Sequence, residues 1–426
     1  MGGLRSVAAG AAIALSMGAS GCAVHDAYQL PAAPSSTIGA AGSCARDRDG
    51  EEVCLRARTD CSFDALDCDP ALVDPVGQLR RLAPDGQPSS FGAGPMVSVA
   101  RPNHFQTVQR LAGAGPARFL VTRSTATPRE TDFGLVEPWD RAGDRGPAAA
   151  DLRIATSRPG NRLTRAFDTG TRYTHAGGGQ RVGRLFAVPL ERDAAGSEVF
   201  IYDVSRPSSP RLLSIVPHVG PAGEAVDQAG TASLAALADG HYLLVIGRRH
   251  ANRLDFYRSA TTDVATTSWR YIDDWSEREL RTAIGDRDFG DYQNLALVPG
   301  ADGALYMLGS HRDWTGHDWL DLHRLGVERD PRGGLSMVIT KVARKHLRCY
   351  LGGTEHCDLD AGAGSYVGAD GRLRVYAITR RPAPRRGGSS AVAMMAFVSA
   401  PKPATRARIA TSRARTRQRH VRAAVK

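Results

Sequence analysis

The chain has 426 residues, is 42% hydrophobic, and contains 46 glycines and 24 prolines. That length holds one to about three domains, and the turn-rich composition excludes a helical bundle. The net charge of +11 belongs to one end: Lys402–Lys426 carries nine cations and no acid, which leaves +2 elsewhere and excludes a folded basic face for specific nucleic-acid recognition.

Met1–Ser20 carries Arg5, an alanine-rich apolar run, and small residues before Cys22. This is the grammar of a signal peptide over residues 1–21, and the run is too short for a permanent membrane helix. Ala19-Ser20-Gly21-Cys22 resembles the lipobox of bacterial lipoproteins, which implies lipidation of Cys22. Ala19 departs from the larger aliphatic residue usual there, and ordinary cleavage nearby is the alternative. Lipid on Cys22 leaves six of the seven cysteines to pair in an oxidising compartment. Cys44, Cys54, Cys61 and Cys68 cluster in a polar segment, and their pairing stays open among three arrangements. A zinc site there would lack both a CxxC pair and nearby histidines. Residues 22–90 read as a linker around this stapled knot, holding the main domain off a membrane. The chain is expected in the bacterial cell envelope, lipid-anchored, or secreted.

The main domain is expected over residues 91–400. Thr231–Leu237, the turn Ala238-Asp239-Gly240, His241–Gly247, Leu254–Ser259 and Trp269–Trp275 predict four antiparallel strands. Leu295–Val298, Asp302-Gly303, Ala304–Gly309, Trp319–Leu325 and Leu335–Ala343 repeat that order. Ser365–Val367, Asp370-Gly371, Arg372–Ile378 and Ser390–Val398 repeat it for three strands. Weaker copies lie upstream: Gln106–Leu111, Arg118–Thr122 and Gly134–Val136, then Arg184–Leu190, Glu198–Asp203 and Arg211–Val216 behind the glycine run Gly177–Gly179. The Asp-Gly turns recur 63 and 68 residues apart, a spacing that suits propeller blades. The expected fold is an all-β, five-bladed β-propeller, closed by the strand Pro95–Ala100 joining the incomplete last blade. Six blades is the alternative count, because Thr125–Pro159 is hard to read; a β-sandwich and a β-helix are the rival folds.

The chain resembles uncharacterised secreted bacterial proteins with propeller-like repeats. The residues that carry this are His104-Phe105-Gln106, Leu254-Asp255-Phe256-Tyr257, Tyr292-Gln293-Asn294, Trp319-Leu320-Asp321-Leu322, Ile339-Thr340-Lys341-Val342-Ala343 and Ala361-Gly362-Ala363-Gly364. The resemblance implies a fold and an extracytoplasmic setting, and no activity.

Polar residues enter the inner strands, where propellers bind ligands: His104, Gln106, His175, Gln180, Gln228, Tyr292 and Gln293. Such a set suits a glycan or protein ligand, although loop residues of this kind also serve backbone groups and channel water. A hydrolase is the alternative, with paired acids among Asp227, Asp291 and Asp360, and Glu224 and Asp288 close by. His311–His323 (HRDWTGHDWLDLH) concentrates His, Asp and Trp. Asp313, Asp318 and Asp321 are its candidate metal ligands, for calcium rather than zinc, and a salt-bridged loop is the plainer reading. No cofactor is otherwise expected. Cys349 and Cys357 are expected to staple the loop between them. The basic tail, residues 401–426, reads as disordered and suited to anionic surfaces, and it lacks aromatic residues for base stacking.

Overall fold

A computed structural model describes residues 44–62, 68–92, 104–112, 117–124, 133–138, 161–169, 173, 175–192, 196–284, 289, 292–384 and 390–402. Within these residues the chain is all-β apart from two short helices. Cys44–Arg46 (β1) and Glu52–Cys54 (β2) form a hairpin, followed by the helix Pro75–Arg80 (α1) and the strand Gln87–Gly92 (β3). The first antiparallel group is His104–Arg110 (β4), Phe119–Ser124 (β5), Phe133–Pro138 (β6) and Asn161–Phe167 (β7). In the second, His175–Ala176 (β8) and Gln180–Val182 (β9) both pair Leu185–Arg192 (β10), followed by Gly196–Asp203 (β11) and Arg211–Pro217 (β12). The third is Thr231–Ala236 (β13), Tyr242–Arg248 (β14), Arg253–Ser259 (β15) and Trp269–Ser276 (β16), with the helix Glu277–Ile284 (α2) after it. The fourth is Asn294–Pro299 (β17), Leu305–Arg312 (β18), Asp318–Arg329 (β19) and Leu335–Leu347 (β20). A small hairpin, Tyr350–Leu351 (β21) and Thr354–Glu355 (β22), precedes the last group. That group is Gly362–Val367 (β23), Leu373–Ile378 (β24) and Ser390–Val398 (β26), with Ala383–Pro384 (β25) at its edge.

The three Asp-Gly turns are built alike. The amides of Gly240, Gly303 and Gly371 each donate to the carbonyl three residues earlier, at φ of +85°, +80° and +67°. Glycine adopts that left-handed backbone without a Cβ clash.

The inner strands close a ring. β4 touches β9, β9 touches β13, β13 touches β17, β17 touches β23, and β23 returns to β4. Alternate residues of one strand serve opposite neighbours, as the period of two requires. Leu295 and Leu297 pack toward β13–β15, whereas Ala296 and Val298 pack toward β23, β24 and β26. The same division repeats, so that each apolar cluster lies between two successive groups. β13 and β17 are therefore buried along their whole length, while the outer strand β12 is largely exposed. A ring of small sheets, each covering the next, is a β-propeller.

The last group takes its outer strand from the other end of the domain. β3 pairs antiparallel with β26 over Ala391↔Gly92 to Ala396↔Gln87. The strand expected in this role, Pro95–Ala100, lies outside the described residues; the pairing belongs to a segment just upstream of it. The stretch expected to be a spacer is instead packed on the ring. Leu72, Leu79 and Leu82 are buried against β17–β20 and the last group, and Arg270 and Arg258 hold Asp47 and Glu51 of the β1–β2 hairpin. The disulfides are Cys44–Cys54, Cys61–Cys68 and Cys349–Cys357. Three disulfides fit an oxidising, extracytoplasmic compartment. No helix among the described residues is long and apolar enough to cross a membrane. Residues 1–21, where a signal peptide is expected, Cys22 and the tail beyond Lys402 lie outside the described residues.

Candidate functional site

β4 runs parallel to β23, and Gly178 bridges Thr231 in parallel, so the inner strands start at one end of the ring. Residues preceding or opening those strands therefore meet there. A bulge at Phe105/Thr107 leaves Gln106 without a cross-strand partner, and a bulge of this kind re-aims side chains. The Gln106 amide nitrogen contacts His104 Nε2 and lies 2.9 Å from His175 Nε2. His175 Nδ1 in turn sits 2.6 Å from Glu191 Oε2, and Glu191 Oε1 accepts the Ala229 amide at 3.0 Å. Next to Ala229, Gln228 Oε1 accepts from Arg249 at 2.7 Å. Gln293 Nε2 lies 2.6 Å from His250 Nδ1, which is 3.7 Å from Asp360 Oδ1. Arg380 pairs with Asp360, and its Nε lies 3.5 Å from Asp358. Burial, then the nearby His175, Arg380 and Arg381, push the His104 imidazole down to about 4, so the ring is neutral at pH 7.

Asp360 and Arg380 also border a cleft of about 680 Å³ that is further lined by Arg312, Tyr350, Glu355, Asp358, Thr379 and Arg381. The disulfide Cys349–Cys357 closes the loop carrying Tyr350, whose ring is half exposed. The Arg312 guanidinium lies 5.8 Å from its centroid. Arg312 is committed on its other sides to Asp318, Glu355 and Asp358. A second large aromatic, Trp314, is 93% exposed at the β18–β19 turn.

The remaining sequence candidates separate. Gln180 is buried and links three inner strands: it accepts the amides of Leu234 and Leu297 and donates to the Leu297 carbonyl. Tyr292 is fully buried, and its hydroxyl meets Asp321 Oδ2 at 2.9 Å and His323 Nε2 at 3.0 Å. Asp227 is exposed, and Asp291 lies outside the described residues. Asp313, Asp318 and Asp321 each have separate partners. Asp313 closes its own turn, accepting the amides of Thr315 and His317 and the Trp319 indole N–H; burial opposes these bonds, which still hold its carboxyl down to about 2. Asp318 pairs with Arg312 and accepts the Leu359 amide. Asp321 is buried under Arg344 and Lys341, which with His311 hold it well below the usual carboxylate range despite burial. No three His, Cys, Asp or Glu side chains are grouped to hold a metal ion among the described residues.

Sequence reasoning missed Glu191, His250 and Arg380. Each sits at a strand end or loop where a single polar residue has no periodicity to mark it. It also missed the buried chain Ser197–His218–Asp255–Arg248, with Ser197 Oγ 2.9 Å from His218 Nδ1 and His218 Nε2 2.9 Å from Asp255. This chain does not form a nucleophile: Ser197 is buried and donates to the Val226 carbonyl at 2.8 Å.

No protein-family model and no curated protein matches the chain. Among solved structures, a family 32 β-fructofuranosidase from Bombyx mori is similar at 12% identity and TM-score 0.36, over 74% of this chain and 64% of that one. Fructan 1-exohydrolase IIa from Cichorium intybus is similar at 14% and 0.35, over 69% and 58%. The chain thus spans less than two thirds of either protein. A family 43 β-1,3-galactosidase is similar at 9% and 0.34, over 83% and 93%. All three TM-scores lie below 0.5, and the activities in those names stay with those proteins.

Proposed function

We propose that this chain is an exported, lipid-anchored propeller of five blades that binds a saccharide without transforming it. β3 completes the fifth blade, and Cys22 carries the anchor. The ligand lies across the mouth formed by His104, Gln106, His175, Gln228 and Gln293 and extends into the cleft beside Tyr350. The observation that supports this reading is the state of Glu191, Asp358 and Asp360 among the described residues. Asp360 is neutralised by Arg380, Asp358 faces Arg312 and Arg380, and Glu191 is bonded to His175 and a backbone amide. A general acid and a nucleophile or base need free carboxyls on either side of a substrate. Amides, imidazoles and an exposed tyrosine supply instead the hydrogen bonds and stacking face that a sugar needs.

Binding is tested on a glycan array and a hydrolysis panel with the same protein. The expected result is retention of a saccharide without product, with Gln293→Ala and Tyr350→Ala each weakening it about tenfold. Turnover abolished by Asp291→Ala or Asp360→Asn would establish the hydrolase instead. Mass spectrometry of the mature protein tests the anchor, which an unmodified N-terminus beyond Cys22 excludes.

A further inference from the structure

The described chain enters and leaves the ring at the end opposite the mouth. Arg56 and Ala57 form bridges with Ala304 and Leu237, and the Ala57 amide donates to the Gly303 carbonyl at 3.0 Å. These contacts lie at the Asp-Gly turns where β13 and β17 finish. The β1–β2 hairpin sits there too, because Arg258 joins Asp239 to Glu51. β26 is antiparallel to β24, itself antiparallel to β23, so β26 also finishes at this end. The Ser399 amide then donates to the Leu373 carbonyl beside the Gly371 turn, and the Ala400 amide donates to the Arg81 carbonyl. Cys44 and Lys402, where the described residues begin and end, thus share one end of the ring. Arg46, Arg48, Arg56 and Arg80 are exposed at that end, and among the described residues none of them is in an ion pair. Neighbouring acids are paired: Asp47 with Arg270, Asp239 with Arg258, Asp74 with Arg81 and Asp370 with Arg374. Asp49 and Glu52 are the exposed exceptions in the hairpin. Val73, next to the Leu72–Pro299 bond, is 61% exposed. Beyond Lys402 the sequence adds eight cations and no acid in 24 residues.

We propose that this end of the ring docks on an anionic lipid bilayer, so that the mouth faces away from the membrane. Arg46, Arg48, Arg56, Arg80 and the cations of residues 402–426 are its contacts with the headgroups. The membrane is supplied by the anchor proposed at Cys22, and on that point the orientation rests on the proposed function. Twenty-one residues separate Cys22 from Cys44, a length of about 70 Å at full extension. Such a tether keeps the ring near the bilayer without choosing which end meets it. Charge makes the choice, because a Lys or Arg gains from an anionic leaflet only within a Debye length, about 8 Å at physiological salt. Turning the mouth to the bilayer would lift the four arginines by the length of a six-residue strand, about 20 Å, and out of that field. The cations beyond Lys402 leave from the end that already carries the four arginines, so both sets act on one leaflet.

The test takes mature full-length protein carrying Cys22→Ser, so that no lipid on the chain contributes. It is mixed with vesicles of phosphatidylcholine alone, or of equal parts phosphatidylcholine and phosphatidylglycerol. The expected result is flotation with the mixed vesicles only, lost at high salt. Arg46→Gln, Arg48→Gln, Arg56→Gln and Arg80→Gln together, with circular dichroism unchanged, weaken binding at least about tenfold. Glutamine in place of the eight cations beyond Lys402 weakens it further. Orientation is read by energy transfer to a labelled lipid from a dye on Thr59→Cys, at the docking end, or on Ala222→Cys, at the mouth end; both positions are exposed. Transfer is expected to be stronger from position 59. Because this protein carries no lipid, an unmodified native N-terminus would remove the anchor and leave these results standing. Equal binding to neutral vesicles, binding unchanged by the four arginine substitutions, or transfer from position 222 as strong as from position 59 would overturn the proposal. Tighter retention by heparin than by the mixed vesicles would overturn it too, assigning the cations to an acidic glycan.

Discussion

Gly178 occupies a place where no side chain fits. A Cβ there would lie 2.3 Å from the Gln293 carbonyl oxygen, a backbone atom that cannot swing away. Its neighbours are as tight, with a Cβ on Gly177 falling 2.2 Å from the Gly230 carbonyl. The glycine run splits β8 from β9 so that the second group can enter the ring against β13. Gly178→Ala is therefore expected to cost about 1–3 kcal/mol through overpacking. Urea denaturation checks this, and an unchanged midpoint would show that the ring can widen. The backbones that press on Gly177 and Gly178 belong to segments fifty and more residues away, and the one that presses on Gly179 is Ala187 of the adjacent strand.

At the scale of elements, the third and fourth strands share one irregularity in four groups. The register shifts at Leu135/Val136, Ile201/Tyr202, Phe256/Tyr257 and Leu322/His323. This common bulge identifies the two weak upstream copies as the same unit as the strong ones. β7 escaped notice because it follows the long segment Thr125–Pro159 and reads as NRLTRAF, with little alternation. The β18–β19 hairpin is joined to the disulfide loop through Asp318, which is the register partner of Arg312 and accepts the Leu359 amide at 3.0 Å. Burial pushes the Asp318 carboxyl up to about 6, against the pull of Arg312. The folded chain then holds this proton more tightly than the unfolded chain. That stability is fully present below the unfolded value of about 4 and is lost as pH rises through about 6. Asp318→Asn removes the titration. Melting temperatures of wild type and variant are expected to diverge between pH 4 and pH 7, the wild type falling relative to the variant. A constant difference would show that Asp318 stays ionised throughout.

For the whole molecule, closure depends on β3. Phe91 is buried between the last group and the first, 5.9 Å from Phe105 in an edge-to-face pair. Phe91→Ala is expected to cost about 3–5 kcal/mol. Because the ring is shared, the loss is expected as a lower midpoint of a single cooperative transition. Hydrogen exchange that opens only β3 and β26, with the global midpoint unmoved, would show that the closing strand is dispensable.

The order of strands, the Asp-Gly turns and the all-β character were legible in the chain itself, because alternation and turn chemistry are local properties. The stapling of Cys349 to Cys357 was legible for the same reason, as a separation of eight positions and a Gly-Gly turn bring the two together. Three-dimensional packing alone decided that residues 44–92 cover the ring, that β3 supplies its last strand, and that Gln180 and Tyr292 turn inward while Gln228 and Gln293 stay at the mouth. It alone joined His104 to His175 and Glu191 across two groups of strands. Such contacts are set by which faces two distant strands turn to each other, and a pattern of period two gives the alternation of those faces without naming the neighbour.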